Sequence, residues 1–262
     1  VNGHTLQLGS LFGIPLELDI SWFLIFALLT WTMAVGFYPA EFKGWTTATY
    51  WFLGAATSIT LFVCVLLHEL AHALIAMRYK LPVERITLFI FGGVSHIDAG
   101  PPGPEAEFWI SLAGPAVSGG VALLLAASEP LFRPSAPSQA LVEYLASINV
   151  ILAVFNLIPG SPLDGGRVLQ AVIWRATGDF RHAARIARLA GQIIAFSLII
   201  AGVWQIIDGN WPTGLWIAFV GWFLELAAAS QREHMEHMDL PASRSVPKKS
   251  AHKLHDLKDR NA

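Results

Sequence analysis

The chain has 262 residues, 54% hydrophobic and 14% charged, with a formal net charge of −2 and a mean hydropathy of +0.53. Globular domains carry about 25% charged residues, so the charge here is too sparse to cover a water-soluble body of this size, and disorder is excluded for most of it. The charge balance leaves no basic face for nucleic acid, and the single Cys64 allows no intrachain disulfide.

Residues 3–19 alternate apolar and polar side chains around Gly9, Gly13 and Pro15, which predicts short strands. The apolar run 20–37 lacks a basic n-region and a small-residue cleavage site, so it reads as a first membrane span rather than a signal peptide. Five more runs follow, at about 48–77, 108–127, 140–158, 189–207 and 213–229. Each approaches or exceeds the roughly 20 residues a helix needs to cross a bilayer. Between the second and third, residues 83–98 read as two β-rich runs around Gly92 and Gly93, a hairpin. Lipid does not tolerate bare strand edges, so such a pair must line a cavity or lie at the membrane surface. From Gln231 onward the composition turns to charged residues, His and Ser with Pro241 and Pro247, the pattern of a solvated helix end and a linker.

The predicted fold class is therefore mostly α: a polytopic membrane protein with six transmembrane helices and short membrane-associated β-strands. Its predicted domains are a six-span core over 1–229 and a charged tail over 230–262. With a cytoplasmic N-terminus, the inside loops hold Arg78, Lys80, Arg85, Arg167, Arg175, Arg181, Arg185 and Arg188, against Lys43 and Arg133 outside. Positive-inside counting then puts both termini in the cytoplasm of a multi-pass protein of the cell membrane.

The second span contains His68-Glu69-Leu70-Ala71-His72, an HExxH motif. On a helix the two histidines project from one face, one turn apart. They can bind one Zn²⁺, with Glu69 beside them as general base for a water. A charge at a span centre costs about 2.5–3.5 kcal/mol on insertion scales, and ten Leu, Ile, Phe and Val residues in 59–77 return roughly 3–6 kcal/mol. The helix can insert, but ionisable groups at that depth mark function by default. The plainer alternative is a set of polar residues satisfied by interhelical hydrogen bonds or lining a wet crevice.

A catalytic zinc site takes three protein ligands and keeps one position open. The best third ligand is Asp164, in Asn156-Leu157-Ile158-Pro159-Gly160-Ser161-Pro162-Leu163-Asp164-Gly165-Gly166-Arg167. Two prolines and three glycines precede the motif's last residue and break the helix of the fourth span. Broken helices at membrane depth occur where they line a cavity. The competing reading makes Asp164 the N-cap of a helix starting near Gly165.

These two motifs, in this order, resemble the site-2 protease family of intramembrane zinc metalloproteases, and more narrowly its prokaryotic six-span branch. The resemblance covers most of residues 3–229, the β-rich N-terminus and the Gly-Gly hairpin included. It implies His68, His72 and Asp164 as ligands of one Zn²⁺ and Glu69 as the catalytic base. Asn156 falls on the family's Asn-x-x-Pro position, where it would help hold substrate or an oxyanion. Gly114-Pro115 in the third span also fits, for close helix packing. Many members of this branch continue into a cytoplasmic pair of CBS domains, and the tail 230–262 looks like the linker to one.

The function implied is hydrolysis of peptide bonds in or near transmembrane segments of membrane-tethered protein substrates, within the lipid bilayer, as in regulated intramembrane proteolysis. A helix hides its carbonyls, so a substrate must unwind locally, and the strands of 83–98 are expected to receive it by β-augmentation. Two rivals come from other classes. A cation transporter would explain the buried ionisable groups, though not the Glu between the histidines. A client-binding scaffold would need no catalysis. Four other features read as bland: Cys64 as a small buried hydrophobe, His96 as a surface-hairpin residue, His234 and His237 as a solvated tail face, and the ten Trp as interface anchors.

Overall fold

The computed structural model describes residues 5–90, 92–97, 100–133 and 135–239, with side chains up to residue 228. Two strands open the chain, β1 (Thr5–Leu11) and β2 (Ile14–Asp19), an antiparallel hairpin. Its turn places Phe12 at φ 53° and Gly13 at φ 83°, backbone that only the glycine adopts at no steric cost. The first span, Ser21–Glu41, begins as α1 (Ser21–Trp31), widens into a π-helical stretch (Thr32–Phe37) and ends in the short α2 (Tyr38–Glu41). Tyr38 is fully buried there, its hydroxyl 2.7 Å from Thr57 Oγ1.

Helix α3 (Thr47–Arg78) runs for 32 residues. Thr46 caps it by accepting a hydrogen bond from the Thr49 amide at 3.2 Å. Strands β3 (Val83–Phe89) and β4 (Gly92–Ile97) follow as the predicted hairpin. Then come α4 (Pro104–Phe132) and α5 (Ala136–Asn156). Next is a short helix α6 (Asp164–Thr177), ended by Gly178 in the left-handed conformation at φ 72°. Finally α7 (Phe180–Ile207) and α8 (Trp211–Asp239) pack on each other. Among the described residues six helices are long and apolar enough to cross a membrane, as expected: Ser21–Glu41, Thr47–Arg78, Pro104–Phe132, Ala136–Asn156, Phe180–Ile207 and Trp211–Ala228. The fourth stops at Asn156, two residues earlier than the hydropathy run suggests, because the chain turns into the Pro-Gly segment there. Of the predicted tail, residues up to 239 extend α8, and 240–262 lie outside the described residues.

Helix packing follows membrane rather than aqueous rules. Large apolar side chains such as Leu123, Leu124, Ile200 and Trp204 point outward, while α7 buries Ala183, Ala184, Ala187, Gly191, Ala195 and Gly202. Lipid is as apolar as leucine, so close backbone approach through small residues holds the helices together.

The two hairpins join into one four-stranded sheet in the order β1-β2-β3-β4. Its central pair is parallel, Leu16 opposite Ile86 and Leu18 opposite Leu88, so the first three helices form the crossover between β2 and β3. Ile14 and Ile86 pack on Leu70 and Ala73 of α3. The sheet therefore lies along the same two turns of α3 that carry the HExxH motif, and β4 is one of its two edge strands.

Candidate metal centre

Three faces of α3 diverge at the motif. Leu70 and Ala73 pack on the sheet. His68 and His72, both buried, turn toward α4 and α6. Glu69 turns toward β4, where Ser95 Oγ lies 2.9 Å from Oε2.

The two imidazoles are held by one stripe of α4. His68 Nδ1 pairs with Ser118 Oγ at 2.9 Å, and His72 Nδ1 donates to the Ile110 carbonyl at 2.6 Å. A carbonyl only accepts, so in the neutral ring the hydrogen sits on Nδ1 and Nε2 presents its lone pair. Gly114 lies one turn from each of these partners. A Cβ there would fall under 3.0 Å from Nε2 of both histidines. The expected close packing at Gly114 is thus met by the histidine rings themselves.

Asp164 is the first residue of α6, and its side chain does not cap that helix; Leu163 takes the N-cap position. Its Oδ2 instead lies 3.1 Å from His68 Nε2 and 3.3 Å from His72 Nε2. Gly165 and Gly166 let the chain fold back tightly here, since a Cβ on either would strike the backbone of residues 157–161.

His68, His72 and Asp164 form a group able to hold a metal ion, their ligand atoms within 4.8 Å of one another. The set fits zinc on its own chemistry. Lone pairs on two nitrogens and one carboxylate oxygen face a common point, an arrangement that repels itself unless a cation lies between. Gly114 keeps the space beside both Nε2 atoms clear.

A cavity of about 330 Å³ opens on this group, lined also by Glu69, Val65, Gly92, Gly93, Val94, Ser95, Leu152, Asn156, Pro162 and Arg167. Asn156 therefore joins the site; one N–H of its amide is donated to the Leu152 carbonyl at 2.9 Å, leaving a second donor. Cys64 stays outside, buried, with its sulfur 3.3 Å from Asn149 Nδ2. His96 lies on the β3–β4 hairpin, partly buried with its Nδ1 covered, and burial first, then the charge of Arg85, lower its imidazole from the ordinary value. The side chains of His234 and His237 lie outside the described residues.

Sequence reasoning missed Ser118, the Ile110 carbonyl, Ser95 and the buried Glu107. Arg167 donates to both oxygens of Glu107, at 2.9 and 3.3 Å. Burial works against the charge of Arg167, and Glu107 outweighs it and raises the guanidinium. No local spacing marks any of them, since each meets its partner only across elements.

The family model of Peptidase family M50 matches residues 56–132 and 133–201. Rip3 of Mycobacterium tuberculosis is 36% identical over 242 residues, covering 90% of this chain and 60% of that one. A zinc metalloprotease of Methanocaldococcus jannaschii is 32% identical over 200 residues, 76% of this chain and 54% of that one. The chain thus spans roughly 60% of the length of the curated relatives it matches. The solved site-2 protease from Methanocaldococcus jannaschii superimposes with a TM-score of 0.57 at 28% identity, over 87% of this chain and 94% of that one. With the family model running through the motif helix, the turn at Asp164 and the helices between them, the chain belongs to Peptidase family M50, the site-2 protease family of zinc metalloproteases.

Proposed function

We propose that this chain is an intramembrane zinc metalloprotease that hydrolyses peptide bonds in or near transmembrane segments of membrane-tethered proteins, in regulated proteolysis. One observation carries the reading: Nε2 of His68, Nε2 of His72 and Oδ2 of Asp164 converge beside Glu69 in a cavity lined by β4 and by helices of a chain with six helices long and apolar enough to cross a membrane. His68, His72 and Asp164 hold the ion. Zinc, when bound, supplies a Lewis acid that polarises the scissile carbonyl and acidifies water. Glu69 takes the proton of the attacking water and passes it to the leaving amine nitrogen as the C–N bond breaks. Asn156 uses its remaining N–H to hold the substrate carbonyl as negative charge develops there.

The substrate segment unwinds and adds to the outer edge of β4, which pairs with no other strand among the described residues. Both termini face the cytoplasm, residues 1–229 are the proteolytic core and 230–262 a charged tail. The test incubates the purified full chain and Glu69→Gln with a panel of single-span substrates in detergent, with and without a chelator. Products are read by mass spectrometry and zinc by elemental analysis. Cleavage within a span by wild type, reduced by orders of magnitude in Glu69→Gln and lost on chelation while Glu69→Gln keeps its zinc, is the expected result. Cleavage by Glu69→Gln at the wild-type rate, or metal flux in proteoliposomes without cleavage, overturns the reading.

A further inference from the structure

Glu69 is held from the opposite side to the histidines, by β4. Gly93 and Ser95 sit two residues apart and so share one face of that strand. A Cβ on Gly93 would come 2.6 Å from Glu69 Cγ. Ser95 Oγ lies 2.9 Å from Glu69 Oε2 and 3.1 Å from the Glu69 backbone carbonyl. Both of those are acceptors while the carboxylate is ionised, so the hydroxyl is the donor. Among the described residues no other hydrogen bond reaches the Glu69 carboxylate. A three-carbon side chain with one anchored oxygen has a defined direction; without the anchor it has several rotamers.

We infer that Ser95 is a positioning residue for Glu69, and that through it the strand offered to substrate also aims the general base. The inference rests on the proposed role of Glu69 as base. Ser95 fixes Oε2 and leaves Oε1 as the oxygen that meets the water. Gly93 supplies the room for the Glu69 stem to lie against the strand. β4 is one of the sheet's two edge strands, so a peptide pairing along it would lie on the element that carries Ser95.

The experiment compares wild type, Ser95→Ala, Ser95→Thr, Glu69→Gln and the double variant Ser95→Ala/Glu69→Gln as full-length zinc-loaded proteins on one cleavable single-span substrate. Zinc content and zinc affinity are measured alongside kcat and KM. Loss of a partner that orients a catalytic group costs about 10–100-fold. Ser95→Ala should therefore lower kcat by about that factor, with KM and zinc affinity unchanged, and Ser95→Thr should restore most of it. In the double variant the serine substitution should add nothing to the loss from Glu69→Gln, since both act through one group.

Four results overturn the inference: an unchanged kcat in Ser95→Ala, a changed KM alone, loss of zinc from Ser95→Ala, or equal effects of the serine substitution in both backgrounds. Should Ser95→Ala fail to fold, Ser95→Thr with lowered kcat and normal zinc would equally overturn it. Full activity in Glu69→Gln strikes the base assignment instead, so the two failures are told apart.

Discussion

Arg167 grips the carboxylate of Glu107 at two points, Nε on Oε1 at 2.9 Å and Nη2 on Oε2 at 3.3 Å. Arg167 stands one turn after Asp164 on α6, and Glu107 stands one turn before Ile110 on α4. This pair therefore fixes the helix that offers the carboxylate of the site against the helix that orients its imidazoles. Glu107 is buried, so removing the guanidinium strands a charge.

Breaking such a pair from one side costs about 3–5 kcal/mol, more than replacing both partners together. Arg167→Met should destabilise the protein by about that amount and lower zinc occupancy, while Arg167→Met/Glu107→Leu recovers much of the stability. Thermal unfolding in detergent with elemental zinc analysis reads both. Equal losses in the single and double variants would show that the pair does not hold the helices in register.

Gly114→Ala places a methyl group under 3.0 Å from Nε2 of both histidines. Neither ring can yield easily, since Ser118 and the Ile110 carbonyl anchor the far nitrogens. The expected outcome is a helical protein, by circular dichroism, that has lost most of its zinc. A Gly114→Ala protein with full zinc would mean that α4 shifts to make room.

Ser118→Ala removes the partner of His68 Nδ1 without touching a proposed ligand. Outer partners of metal-binding histidines are worth about 10–100-fold in affinity or activity. Competition against a chromophoric chelator should show zinc affinity falling by about that factor in Ser118→Ala. Ser118→Thr should retain most of the affinity, as it keeps the hydroxyl.

Asn156→Ala tests a role in the reaction separate from metal binding. Losing one donor to a developing oxyanion costs about 100-fold in kcat. Zinc content should be unchanged, because Asn156 lies outside the group formed by His68, His72 and Asp164. A rise in KM with kcat intact would assign Asn156 to substrate holding alone.

Hydropathy runs, the i and i+4 spacing of His68 and His72, and the Pro-Gly turn before Asp164 are local patterns, so six spans, the β-rich stretches and the candidate ligands were legible from the sequence. Each depends on neighbours within a few turns of chain. The parallel pairing of β2 with β3 was not, because it joins residues separated by three helices and no local pattern records the register. Ser118 and Asp164 meet His68 across 50 and 96 residues of chain. Asp164 announced itself through its motif, whereas Ser118 is one serine among many until α4 is laid against α3. The same holds for Ser95, whose partner is chosen by which face of β4 meets α3. The sequence by itself determined six runs long and apolar enough to cross a membrane and the residues of a candidate zinc site. Only the tertiary structure decided which polar atoms hold His68, His72 and Glu69, because a hydrogen bond needs its two atoms within about 3 Å and packing alone brings them there.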